Sequence, residues 1–101
     1  MWLCFNNAFV SVVADANSNL LMVRARRREH LQNLFNDEVP ILIGTGTDYK
    51  YRVIVDRVTL CEVVQKVLTS LRYTNFKQSV TDQALHDLYS NFWSLHYGIQ
   101  E

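Results

Sequence analysis

Two pairs of short apolar runs, each followed by segments of helical spacing, set the limits on what this chain can fold into. The first pair is a Val- and Phe-rich run within residues 3–14 and LLMVRAR at 20–26, separated by the turn-forming residues DANSN. The second pair is ILIG at 41–44, opened by Pro40, and YKYRVIVDR at 49–57. Because turn-forming residues separate its two runs, each pair is predicted to form an antiparallel hairpin of two strands.

The run at 49–57 alternates apolar and polar side chains, which is typical of a half-buried strand. One face is expected to carry Tyr49, Tyr51, Val53 and Val55, and the other face Lys50, Arg52, Ile54 and Asp56. The first set is expected to face the core.

Three segments show the spacing of amphipathic helices. The first is residues 27–35, the second is 59–71, and the third runs from residue 79 to about residue 97, with Gly98 as its stop. The apolar stripe of the second helix is predicted to consist of Leu60, Val63, Val64, Val67, Leu68 and Leu71.

Two of these helices are preceded by a pattern that predicts where they begin. Thr59 with Glu62, and Ser79 with Asp82, have the spacing of a capping box. In that motif the hydroxyl accepts from the third backbone amide of the helix, while the carboxylate accepts from the amide of the cap residue. The second and third helices are therefore predicted to start at these positions.

The predicted order of elements is ββαββαα, and it determines the fold class. Because the strands come in pairs and helices follow the second and the fourth strand, this order favours an α+β two-layer sandwich, in which an antiparallel sheet carries helices on one face. A ferredoxin-like arrangement is the alternative that one misplaced strand would produce. No repeat, linker or low-complexity tract divides the chain, so residues 1–101 are predicted to form a single domain.

Composition excludes several classes of protein. Hydrophobic residues make up 49% of the chain and charged residues 20%, which rules out disordered and collagen-like chains. No apolar run approaches the roughly 18 residues of a membrane span, and the first residues lack the pattern of a secretory signal. Cys4 and Cys61 are expected to be buried free thiols, with a disulfide between them as the alternative. A cytoplasmic protein without membrane contact is expected.

Charge balances over the whole chain but not along it. The ten basic and ten acidic side chains cancel, so no overall field attracts nucleic acid. Residues 1–28 carry four Arg against one Asp, and residues 29–48 carry four acids and no Lys or Arg. Residues 49–77 carry six bases against two acids, and residues 78–101 carry three acids and no Lys or Arg. Surface patches of both signs are therefore predicted.

Basic side chains concentrate on and beside two of the predicted strands. The candidate partner-binding residues are Arg24, Arg26, Arg27, Arg28, Lys50 and Arg52. Strand residues two positions apart point to the same face, so the two strands would present one basic surface if they share a sheet. Guanidinium forks suit carboxylate or phosphate groups, which favours a protein partner or a nucleic acid. The alternative is a solvated strand face whose charges are met by acids of the same chain.

Catalysis has less support from the sequence than binding. Asp82 and His86 stand four residues apart on the third helix, where a carboxylate can orient an imidazole for acid–base chemistry. No nucleophile is placed beside them, and the glycine-containing loop 44–48 precedes a strand, whereas a phosphate loop precedes a helix. We expect no enzyme activity, no cofactor and no metal site.

Four segments resemble a family of small uncharacterised proteins of bacteria, prophages and phages: MWLCFNNAFVSVVAD, LMVRARRREHLQNLF, TDYKYRVIVDR and YTNFKQSVTDQALHDLYSNFW. The resemblance covers nearly the whole chain and brings no activity, cofactor or catalytic residue. It implies a mobile-element context, in which short neutral or acidic proteins often bind a host or defence protein, anti-CRISPR inhibitors among them.

Three functional hypotheses follow. The first is a small non-enzymatic protein of phage or prophage type that binds and modulates a host or defence protein. The second is a nucleic-acid-binding module that uses the same arginines, and the third is a small hydrolase. A homodimer is also predicted, because Trp2, Trp93 and Tyr97 near the chain ends are aromatic anchors of the kind that contribute to interfaces.

Overall fold

The chain folds into a five-stranded antiparallel sheet packed with helices, in a computed structural model that describes residues 1–44, 46 and 48–101. The strands are β1 (Trp2–Phe5), β2 (Ala8–Ala14), β3 (Leu21–Ala25), β4 (Leu42–Ile43) and β5 (Tyr51–Val55). The helices are α1 (Arg28–Phe35), α2 (Arg57–Ser70), α3 (Phe76–Ser79) and α4 (Gln83–Tyr97).

The strand order is β1-β2-β3-β5-β4, and every neighbouring pair is antiparallel. The predicted α+β sandwich with an antiparallel sheet is confirmed, and the ferredoxin-like alternative does not form. The prediction that the helices lie on one face is wrong, because α1 and α2 pack on one face of the sheet and α3 and α4 on the other. The predicted β4–β5 hairpin is present, because Ile43 pairs with Tyr51 and the Gly44 amide donates to the Lys50 carbonyl at 2.8 Å. Two residues of its loop, Thr45 and Thr47, lie outside the described residues.

One strand, β1, is not predicted from the sequence. Residues 3–14 were predicted as a single strand, but Phe5 pairs with Ala8, and the chain reverses between them at Asn6 and Asn7. Asparagine is well suited to such a turn because its side chain can hydrogen-bond to nearby backbone groups. The prediction failed because the apolar character on both sides of this turn is continuous.

Both predicted capping boxes are wrong. The Asp56 carboxylate caps α2 by accepting from the Thr59 amide at 2.7 Å, so Thr59 lies inside the helix. The Asp82 carboxylate caps α4 by accepting from the Leu85 amide at 2.9 Å, while Ser79 ends the short helix α3. Each helix begins at the nearest aspartate, whose ionised carboxylate is a strong acceptor at a helix N-terminus. The predicted stop at Gly98 is confirmed.

The main core lies between one face of the sheet and the helices α1 and α2. The strands contribute alternate side chains such as Val10, Val23 and Val53, and α1 contributes Leu31, all of them fully buried. The predicted stripe of α2 is only partly buried: Leu60 is in the core, Val63, Val64 and Val67 pack at its margin, and Leu68 is exposed.

A second, aromatic core covers part of the opposite sheet face. Phe9 alternates with Ala8 and Val10 along β2 and so points away from the main core. It packs with side chains from α3, α4 and the loop between them: Phe76, Val80, Leu85, Leu88, Tyr89 and Phe92. The Tyr89 hydroxyl lies 2.8 Å from the carbonyl oxygens of both Phe5 and Ala8, which fixes α4 to the β1–β2 hairpin.

The two cysteines correct a further prediction. Cys4 and Cys61 are free thiols, as expected, but both are exposed and not buried. Among the described residues, no helix is long and apolar enough to cross a membrane.

A matched pair of valine substitutions tests where the fold is held. Val10→Ala removes a fully buried side chain from β2, so we expect a loss of about 2–3 kcal/mol from the transferred methyl groups and the cavity left behind. Val58→Ala, at an exposed position of α2, is expected to change the stability by less than about 0.5 kcal/mol. Urea denaturation of both variants measures the difference, and equal losses would contradict the assignment of the core.

Candidate functional site

The part of the second sheet face that α4 leaves open carries a row of polar side chains. Ser11 pairs with Arg24 across β2 and β3, and Arg24 pairs with Arg52 across β3 and β5. Arg24 Nη2 donates to Ser11 Oγ at 2.8 Å, and Ser11 is only 2% exposed. Like charges directly opposite one another destabilise a sheet, so the Arg24–Arg52 pair needs compensation from its surroundings.

Tyr49 supplies part of that compensation. Its ring is 5% exposed and lies 4.6 Å from the Arg24 guanidinium carbon and 4.4 Å from that of Arg26, measured from the ring centroid. A cation at that distance over an aromatic face is stabilised by the ring quadrupole. The structure thus corrects the expectation that Tyr49 shares a core face with Tyr51 and Val53, because Tyr49 precedes β5 and packs among the arginines.

One carboxylate faces this group of three guanidiniums, which we name the arginine cluster: Arg24, Arg26 and Arg52. Arg26 donates to the backbone carbonyl of Asp48 at 2.6 Å and to its carboxylate at 3.3 Å. Arg52 Nε donates to the Tyr49 carbonyl at 3.4 Å. Within the described part of the chain, Arg24 and Arg52 form no salt bridge. The cluster therefore keeps an excess of positive charge.

Arg27 is directed away from the cluster and toward α4. Its guanidinium lies 3.1 Å from the Asp82 carboxylate and 3.4 Å from that of Glu29. Hydrogen bonding from the Leu85 amide, with the charge of Arg27 as a smaller contribution, holds the pKa of Asp82 below its usual value. The carboxylate that caps α4 is thus also the anchor for Arg27.

The side chains of the proposed hydrolase pair are not hydrogen-bonded to each other. The Asp82 carboxylate is engaged by the Leu85 amide and by Arg27, and among the described residues the bond that joins Asp82 to His86 is a backbone one, from the His86 amide to the Asp82 carbonyl at 2.9 Å. His86 Nδ1 instead lies 3.7 Å from the Asp87 carboxylate. Within the described residues there is also no cluster of three or more His, Cys, Asp or Glu side chains suited to a metal ion.

Arg28 and Lys50 form a separate pair around Tyr51. The Arg28 guanidinium lies 5.8 Å and the Lys50 ammonium 5.5 Å from the centroid of the Tyr51 ring. Both cations are exposed. Of the six predicted partner-binding residues, the fold therefore brings Arg24, Arg26 and Arg52 together, holds Arg28 and Lys50 at a second ring, and turns Arg27 toward α4.

His30 joins α1 to the sheet at the border of the site. The pairing of β2 with β3 ends at Ser11 and Arg24, so the amide of Phe9 lies beyond the last ladder pair. That amide donates to His30 Nδ1 at 3.2 Å. Nδ1 can accept this bond only when it carries no proton, and burial lowers the pKa of His30, which favours the same neutral form.

A cleft of about 390 Å³ connects the arginines to the aromatic core. Arg26, Arg27 and Tyr49 contribute to its polar side, whereas Trp2, Phe9 and Phe92 line its apolar side. Trp2 stacks on Phe92 at 5.8 Å with an interplanar angle of 12°, yet remains 64% exposed. The cleft can therefore take an apolar side chain whose neighbours include a carboxylate.

Sequence reasoning identified the arginines but missed Ser11, His30 and Asp48. A single serine inside the apolar run AFVSVVA was the available signal for the first, since a polar residue in a buried strand needs a hydrogen-bond partner. The acceptor role of His30 had no signal in the sequence because it depends on where the β2–β3 ladder ends.

The neutral state of His30 predicts how stability depends on pH. Its pKa is lower in the folded chain than the value near 6.5 of an unfolded histidine. The unfolded state therefore binds the proton more readily, and the free energy of unfolding should fall as the pH drops from 7 to 5. In His30→Gln, whose amide oxygen can still accept from the Phe9 amide, we expect a smaller fall. Urea denaturation at both pH values measures it, and identical pH dependence in the two proteins would contradict the prediction.

Comparison of the chain with protein-family models, with curated proteins and with solved structures finds no match. The chemistry of the arginine cluster and the cleft is consequently the structural support for a functional proposal.

Proposed function

We propose that this protein is a non-enzymatic binding module whose arginine cluster and cleft hold an acidic, partly apolar segment of a protein partner. The partner class is a host or defence protein in the cytoplasm of a bacterium, which is what the resemblance drawn from the sequence implies. Modulation of that partner by occupying its surface is the proposed mode of action.

The observation that carries this proposal is the uncompensated charge of the arginine cluster. Three guanidiniums lie around one buried tyrosine, with a single carboxylate, Asp48, beside them in the described residues. Arg24 and Arg52 are adjacent across two strands, so their repulsion is present in the free protein. A carboxylate of a partner would relieve that repulsion and could bind in bidentate fashion.

The cleft beside the cluster adds the apolar part of an interface. Arginine, tyrosine and tryptophan are the residues that most often dominate the energy of protein interfaces. Here Arg26, Tyr49 and Trp2 line one continuous cleft with Phe92 at its apolar end. A partner segment with an apolar side chain next to an acidic one would contact both the apolar side and the basic side of this cleft.

A nucleic acid is less well matched to this surface. Arg26 and Arg27 are paired with Asp48 and Asp82, so phosphates would meet carboxylates beside the guanidiniums. The chain as a whole also has a formal net charge of zero, whereas nucleic-acid-binding domains usually carry a basic excess. A compact acidic segment could instead bind Arg24 and Arg52, the two guanidiniums of the cluster that form no salt bridge among the described residues.

Two single-charge substitutions test the proposal. Arg52→Gln removes one charge of the cluster, and Lys66→Gln removes one charge from an exposed position of α2. The tagged protein captures its partner from a bacterial host lysate, and calorimetry then measures the affinity of the purified pair. We expect Arg52→Gln to weaken binding about 10- to 100-fold, the range for a hydrogen bond to a charged group. Lys66→Gln should leave the affinity within about twofold.

Three outcomes would contradict the proposal. One is capture that is lost on nuclease treatment, together with an affinity that falls steeply with salt, which identifies a nucleic acid. The second is equal binding by the two variants, which places the contact surface elsewhere. The third is no retained protein at all. Thermal melting of Arg52→Gln is the control that its fold is intact.

A further inference from the structure

Strand β1 is an outer edge of the sheet, and its free backbone groups can be identified from the ladder. Met1 exchanges both hydrogen bonds with Val12, at 3.0 and 2.8 Å. Hydrogen-bonded pairs alternate with non-hydrogen-bonded pairs along an antiparallel ladder. Leu3 and Phe5 therefore also direct their amide and carbonyl groups toward β2, and Trp2 and Cys4 direct theirs away from the sheet.

This edge lacks the devices that normally protect one. Its sequence WLCF contains no charge and no proline, and β1 has no bulge in its pairing with β2. Among the described residues, none donates to or accepts from the backbone of Trp2 or Cys4 on the outer side. The four outward groups of these two residues are therefore free to pair with a partner strand.

Apolar grooves flank the edge on both faces of the sheet. One, of about 850 Å³, lies between β1 and α4 and is lined in part by Trp2, Cys4, Trp93 and Leu95. The other, of about 870 Å³, lies between the sheet and α2. Its lining includes Met1, Leu3 and Leu68. A partner strand added to β1 would close both grooves along one side.

We propose that β1 pairs antiparallel with β1 of a second copy of this chain, which joins the two sheets into one of ten strands. The two-fold axis passes between Leu3 and Leu3 of the second copy. Trp2 then lies opposite Cys4 of the second copy, and Cys4 opposite its Trp2. In this register each outward amide meets an outward carbonyl, and Trp2 and Cys4 of the two strands satisfy one another through four backbone hydrogen bonds.

The side chains beside the edge supply the area that such a dimer needs. Trp2 is 64% exposed and Trp93 49% exposed. Their exposed parts add up to roughly 250 Å², about the full surface of one tryptophan side chain. Met1, Leu68 and Leu95 are more than half exposed and add to it on the two faces. The sum approaches the ~800 Å² per partner that stable interfaces bury. The absence of net charge on the chain leaves no overall repulsion between copies.

This interface specifies how the homodimer expected from the aromatic residues would form. It does not involve the arginine cluster, although Trp2 belongs both to it and to the cleft of the proposed function. Trp2 and Trp93 contribute to the interface, as the sequence predicts, but the backbone of β1 determines how the two copies align. A strand from a different protein could use the same edge. A second copy, in contrast, presents the same outward groups at the same spacing on both sides of the two-fold axis.

Sedimentation equilibrium and cysteine cross-linking test the dimer and its register. We expect the wild type at about 50 μM to have twice the 11.8 kDa mass of one chain. Cys4→Pro removes an outward amide that the protomer does not use, and should give monomers. Cys4→Ser keeps that amide and should remain dimeric. Circular dichroism during thermal melting checks that both variants are folded.

A cysteine at the axis tests the register without weakening the interface. Leu3→Cys, in a chain that also carries Cys4→Ser and Cys61→Ser, should form a disulfide-linked dimer on mild oxidation, since opposed residues of this type have Cα atoms about 4.5 Å apart. In the matched control Cys61→Ser, the two native Cys4 residues would lie about 8 Å apart, from the rise and spacing of strands. That distance exceeds what a disulfide spans, so no cross-link is expected.

Each result decides the proposal. A monomeric wild type overturns it, as does a dimer that Cys4→Pro leaves intact. Cross-linking through Cys4 but not through Leu3→Cys overturns the register. If Cys4→Pro does not fold, the cross-linking pair alone decides between the proposed edge and another interface.

Discussion

The burial of β2 on both faces is the constraint on which the rest of the structure depends. Five consecutive residues, Ala8–Val12, are buried, although successive side chains of a strand point in opposite directions. One layer of helices therefore cannot bury this strand. The helices α1 and α2 cover the face of Val10, and α4 covers the face of Phe9. The chain has to cross from one face of the sheet to the other after α2, and α3 lies on that path.

The open part of the second face follows from where this cover ends. Phe9 and Trp2 are packed against α4, but the next position on β2 toward that face is Ser11, and beyond it lie Arg24 and Arg52. A polar row at this point is where the sheet meets water beyond the edge of the aromatic core. Neighbouring groups can then stabilise the charges of these two arginines, and Tyr49 lies between the core and the solvent. The same boundary that ends the aromatic core thus creates the positively charged surface.

The fold could be predicted from the sequence to the extent that periodicity encodes it. Alternation in β5 and helical spacing in α2 and α4 predicted the α+β class, because those patterns reflect burial directly. They did not show that α4 lies on the opposite face of the sheet from α2. Two local features could not be predicted, because similar sequence signals lie side by side. Asp56 takes the helix-cap position in place of Thr59, and Asn6 with Asn7 reverses an apolar run that resembles a single strand. For the site, strand spacing predicted that the basic side chains of the two strands would share a face if the strands share a sheet. Arg24 and Arg52 do pair, whereas Lys50 lies at the Tyr51 ring. The position of Tyr49 depends on the loop that precedes β5, where strand alternation no longer applies.

The arginine cluster and the β1 edge lie at different positions in one sheet, and the distance between them affects how each would work. In the strand order β1-β2-β3-β5-β4, the arginine cluster lies on β3 and β5, and β2 separates it from the β1 edge. A two-fold axis perpendicular to the sheet keeps equivalent faces on the same side. From β3 of one copy to β3 of the other there are five strand spacings, or about 24 Å. The proposed dimer would present two arginine clusters to the same side at that distance. A partner with two acidic segments at matching separation would then bind through both clusters, and the second contact would form at a high effective concentration.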